Sequence, residues 1–146
     1  MIPDISYAVE NAKRLMAEVC YYCSVGPEDL KRWFQTESVY PDLKLEDVLK
    51  EPLYVIHELV EISEFRKTGI PVTNDVFTRY PEEAEQAHYV AATVEMAVAL
   101  SVKNYQHIEK RLEHIKGWTT DEKTHPKYKP LYAELYKKTK KAIGSK

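Results

Sequence analysis

A chain of 146 residues, 44% hydrophobic and 30% charged, has the length and composition of one soluble globular domain with a proper core. Its longest nearly apolar stretch surrounds YVAATVEMAVAL, residues 89–100; it is too short to span a bilayer and contains Glu95, which excludes a transmembrane helix there. Net charge is −2 but unevenly placed, −9 over residues 1–102 and +7 over residues 103–146, so nucleic-acid binding has no support beyond a basic C-terminal segment.

The N-terminus, MIPDISYAVENAKR, has no basic start followed by an apolar block, so a cytoplasmic location is expected. Asp4 can cap a first helix, SYAVENAKRLMAEVCYYC, whose Ile5, Ala8, Ala12, Leu15, Val19 and Tyr22 fall near one face. Cys20 and Cys23 form a single CxxC near its end; without further ligands they read as two reduced, half-buried thiols. Gly26 ends that helix and Pro27 opens PEDLKRWFQTE. Residues 38–44 link it to one or two turns at 45–51. Pro52 starts or kinks a longer helix through Lys67, closed by Gly69.

Residues 69–80 read as a loop, and Pro81 as the first turn of a long helix running to about Lys116 and stopping at Gly117. A polar connection, 117–129, precedes the last helix, PLYAELYKKTKKA, a basic helix or tail of about 15 residues. No segment alternates in the strand manner. The expectation is a single all-α domain, 1–146, with five to six helices packed as a bundle.

Two of these helices are oddly acidic. In HELVEISEF, residues 57–65, His57, Glu61 and Glu64 lie within about 60° on the helical wheel and Glu58 flanks them. No cation between Lys50 and Arg66 relieves the carboxylates, which repel at such spacing. In the helix from Pro81, Glu85, His88, Ala92, Glu95 and Ala99 form a stripe about 80° wide. Glu85 and His88 have the Glu-x-x-His spacing by which one helix presents two ligands to a metal. No Lys or Arg lies between Arg79 and Lys103 to pair with Glu95, so a divalent cation between the helices, or a distant Arg14 or Lys110, is its expected partner. The bland alternative is a solvated acidic face with a hydrogen-bonded histidine. The candidate metal ligands are His57, Glu58, Glu61, Glu85 and His88.

These residues resemble the MazG-like, all-α nucleoside-triphosphate pyrophosphohydrolases over about residues 50–115. Glu58-Leu-Val-Glu61 is similar to that family's first Glu-x-x-Glu pair, and Glu85-Gln-Ala-His88 falls where its Glu-x-x-Asp pair stands. The resemblance implies cleavage of a nucleotide or other small phosphorylated molecule with Mg²⁺ or Mn²⁺. It further implies Glu64 or Glu95 orienting water, Lys103, Asn104, Lys110 and Arg111 near phosphates, and a homo-oligomer. The departure is His88 in place of Asp, which suits a transition metal better than Mg²⁺. Two other readings compete: a helical metal-binding protein of the di-iron carboxylate type, which needs a second Glu-x-x-His, and an interaction module using some of the 11 tyrosines.

Overall fold

The structure, a computed structural model, describes residues 4–35, 44–71 and 76–144. The expected link around Pro41 and residues 72–75 of the expected loop lie outside the described residues. Among the described residues the chain is all-helical, with eight helices: α1 (Ile5–Ala17), α2 (Pro27–Gln35), α3 (Leu45–Leu49), α4 (Pro52–Thr68), α5 (Val76–Arg79), α6 (Pro81–Ser101), α7 (Tyr105–Trp118) and α8 (Lys129–Gly144). No helix is long and apolar enough to cross a membrane among the described residues.

The all-α class agrees with the sequence; the count of five to six does not. A one-turn helix, α5, forms in the region read as loop, and the long helix expected from Pro81 to Lys116 is two helices. The break has a local cause. The Lys103 amide donates to Leu100 O and the Asn104 amide to Ala99 O, and Lys103 itself is left-handed at φ 58. That pairing is a Schellman stop. The Asn104 side chain then accepts from the His107 amide and caps α7.

The same motif shortens the first helix. Cys20, at φ 63, donates to Ala17 O while Tyr21 donates to Met16 O, so α1 stops at Ala17 and both cysteines lie beyond it. Gly69, at φ 75, closes α4 in the same way, donating to Arg66 O while Ile70 donates to Phe65 O. Two of the three stops use a residue other than glycine.

Pro52 and Pro81 open α4 and α6, the two central helices. On α4, Leu53, Val55, Ile56, Leu59, Val60, Ile62 and Phe65 are buried nearly all round, the signature of a core helix. α6 meets it through Ala84, Ala87, Ala91 and Ala99, small enough to bring the backbones close, with Val94 and Val98 filling the seam. α1 and α2 cover the same core with Val9, Ala12, Met16, Leu30 and Trp33. A second apolar cluster joins the far side of α6 to α7 and α8: Ala92, Met96, Ile115, Tyr128, Tyr132 and Leu135. Burying a side chain of this size contributes about 1.5–3 kcal/mol against a backbone entropy of similar scale. The two central helices are therefore held on every side, and the polar groups between them are fixed by packing.

Candidate metal centre

The polar interior of the α4–α6 contact begins at Glu95, which is 0% exposed. Because the chain turns at Lys103, α7 carries two donors back to it. Arg111 forks the carboxylate, Nε to Oε2 at 2.8 Å and Nη2 to Oε1 at 3.0 Å. His107 Nε2 lies 2.6 Å from Oε2, and His57 Nδ1 of α4 lies 2.8 Å from Oε1. Each carboxylate oxygen thus has two partners, which fills its lone-pair capacity. Burial would raise the Glu95 pKa, but hydrogen bonds from His107 and His57 and the charges of His57 and Arg111 outweigh it and hold the group well below its usual range.

This corrects two expectations. The charged partner of Glu95 from a distant helix is Arg111, beside His57 and His107, and not Arg14 or Lys110; Arg111 faces inward to Glu95 instead of out to a phosphate. Glu95 also has no free lone pair with which to orient water. It holds His57.

His57 is the hinge between the two acids. Its Nε2 lies 2.9 Å from Glu61 Oε1, one turn along α4. Burial would lower the His57 pKa; hydrogen bonds to Glu61 and Glu95, with their charges, prevail and raise it to about 10. Protonated His57 therefore joins Glu61 to Glu95, and the ladder continues to Arg111 with alternating sign.

His88 approaches from α6, its ring centroid 5.0 Å from that of His57. Its Nδ1 lies 2.7 Å from the Tyr132 hydroxyl of α8, which in turn donates to Glu85 Oε2 at 2.7 Å. A phenol has one proton to donate, and Glu85 takes it, so Tyr132 accepts from His88 Nδ1–H. The Nε2 lone pair of His88 is left for another partner. Burial and the charge on His57 push the His88 pKa down to about 4, keeping the ring neutral as a ligand must be.

One ligand atom each from His57, Glu61 and His88 lies within 4.8 Å of the others, and this is the one group of that kind among the described residues. Both imidazoles have their Nδ1 edge fixed from outside, His57 by Glu95 and His88 by the Tyr132–Glu85 pair. Such outer partners orient metal-binding histidines and set their tautomers. Two histidines and one carboxylate suit a transition metal, with positions left open for water or substrate.

The other expected site residues lie elsewhere. Glu58 accepts from the Trp33 indole Nε1 at 2.9 Å; burial and the neighbouring Glu61 charge raise its pKa to about 7, against His57 and Trp33. Glu85 accepts from the His125 amide at 2.9 Å as well as from Tyr132, and acts behind His88 instead of beside it. Glu64 accepts from the Tyr21 hydroxyl and Lys67, on the rim of α4. Lys103 sits in the left-handed turn, Asn104 is the α7 cap, and Lys110 lies over the Tyr54 ring at 5.0 Å. Sequence reasoning missed His107 and Tyr132. His107 lies twelve residues beyond Glu95, a relation visible only once the helix is known to break. No family model matches the chain, and neither curated proteins nor solved structures provide a match.

Proposed function

We propose that the chain binds a single divalent transition-metal ion on His57, Glu61 and His88, the ion displacing the Nε2 proton that His57 shares with Glu61, and uses it in hydrolysis. The observation that carries this reading is the convergence of those three ligand atoms within 4.8 Å, with both histidines oriented from behind. When bound, the ion would supply Lewis-acid polarisation and a water of lowered pKa. The residues of the chain supply the rest. Glu95, fixed by Arg111 and His107, orients His57 and keeps its Nε2 towards Glu61. Tyr132 and Glu85 hold His88 in the Nδ1–H tautomer.

A pyrophosphohydrolase of the four-carboxylate type draws less support, because Glu58 and Glu85 turn to Trp33 and Tyr132. A small phosphorylated substrate remains the class to screen first, on the resemblance alone. The test is thermal melting of chelator-stripped protein with Zn²⁺, Mn²⁺, Fe²⁺, Co²⁺ and Mg²⁺, since an ion bound by the native state raises the melting temperature. We expect a rise with transition metals that is lost in His88→Gln, followed by metal-dependent turnover in a panel of phosphate esters. Melting unmoved by any ion would assign the network to structure alone.

A further inference from the structure

On the opposite side of α4 from His57, a cavity of about 240 Å³ is lined by Asp29, Arg32, Trp33, Ile62, Arg66, Ile70 and Pro71. We propose that it is a second ligand site, for a small free carboxylate bearing one ring-sized apolar group. The inner walls are apolar: the Trp33 indole, Ile62, Ile70 and Pro71. Trp33 is itself locked, edge-on to Phe77 and tilted against Phe65, with its Nε1–H spent on Glu58. It therefore offers apolar ring surface, not a hydrogen bond. A cavity of about 150 Å³ already accepts benzene when its walls are apolar, so ring-sized occupants fit.

The mouth is cationic. Arg66 is paired with Asp29, while Arg32 is exposed and makes no ion pair among the described residues. Two guanidinium groups against one carboxylate leave one positive charge over an apolar floor. A guanidinium fork matches a carboxylate with two parallel hydrogen bonds, and the ring behind it would stack on Trp33. This arrangement is separate from the His57 centre: on the α4 wheel Ile62 and Arg66 lie about 140–180° from His57.

The test uses the full chain, ¹⁵N-labelled, titrated with benzoate, benzyl alcohol and acetate while the Trp33 indole N–H and the surrounding amides are followed. Benzoate is expected to shift these resonances saturably, at least about tenfold more tightly than either control, because the alcohol lacks the charge and acetate lacks the ring. Arg32→Gln, an exposed change that leaves the fold intact, should weaken benzoate about tenfold. Arg66→Gln should do the same, with circular dichroism confirming that it folds. Absence of shifts at about 10 mM benzoate, equal binding of benzyl alcohol, or benzoate binding unchanged in Arg32→Gln would overturn the proposal.

Discussion

Glu95→Gln tests the polar interior most sharply. The substitution keeps the shape and removes the charge. It leaves the Arg111 guanidinium buried against a neutral amide, and it turns one acceptor oxygen into an NH₂ that faces N–H donors. Removing one partner of a buried ion pair costs roughly 3–5 kcal/mol, out of a total stability of about 5–15 kcal/mol for such a domain. For a chain of this size that is a fall of about 10–15 °C in melting temperature. Urea unfolding followed by far-ultraviolet circular dichroism measures it directly, since the midpoint falls while the slope stays constant. Adding Arg111→Met removes the stranded charge, and the double variant should recover at least about 1 kcal/mol relative to the sum of the single losses. A loss below about 1 kcal/mol for Glu95→Gln, or strict additivity of the pair, would refute the reasoning, because Glu95 would then not be the anchor of this network.

Three further outcomes are expected. The metal-free protein should lose stability between pH 7 and 10: the His57 pKa is raised in the fold to about 10, so its contribution is full below the ordinary value of 6.5 and disappears as pH climbs through about 10. His88 at about 4 has completed its titration before that window, and Glu58 at about 7 titrates only across its first part, so the slope remaining above about pH 8 should vanish in His57→Gln when unfolding is measured across pH. Trp33→Phe removes the donor to buried Glu58 and should cost roughly 1–3 kcal/mol in urea unfolding, whereas Trp33→Phe with Glu58→Leu should cost less than the single change. Lys103→Gly relieves a left-handed side chain and should raise stability by up to about 1 kcal/mol, while Asn104→Ala should lower it by about 1 kcal/mol through the lost cap. A destabilised Lys103→Gly would show that the α6–α7 turn is not held as described.

The all-helical class was legible because apolar spacing and proline positions agree: Asp4, Pro27, Pro52 and Pro81 each open the helix they were expected to open. Helix ends were legible only where glycine marks them. Gly69 does, but Cys20 and Lys103 take the same left-handed position with a side chain, so a reading keyed to glycine runs α1 and α6 too far. The second error carried into the site. With residues 81–116 drawn as one straight rod, Glu95 has no neighbour of opposite charge, and a metal is the natural remedy. With the turn at Lys103, Arg111 and His107 reach it, and the missing cation is a protein side chain. His57, Glu61 and His88, named together from the sequence, do come within 4.8 Å of one another, because each lies on the stripe of α4 or α6 that turns towards the contact between those two helices. Glu58 and Glu85 share those helices but point a step to the side, where Trp33 and Tyr132 take them. Spacing along a helix places a carboxylate on a face; which neighbour reaches it first depends on helices far away in the chain.

Anomalous diffraction at the zinc edge, from crystals of chelator-stripped protein reloaded with Zn²⁺, tests the central proposal most directly. The proposal predicts one peak about 2.0–2.2 Å from a nitrogen of His57, an oxygen of Glu61 and a nitrogen of His88, with the Glu95–Arg111 fork unchanged behind it. An interior without a peak, in which His57 still bridges Glu61 and Glu95 at full metal loading, would contradict it and leave the network as a structural device alone.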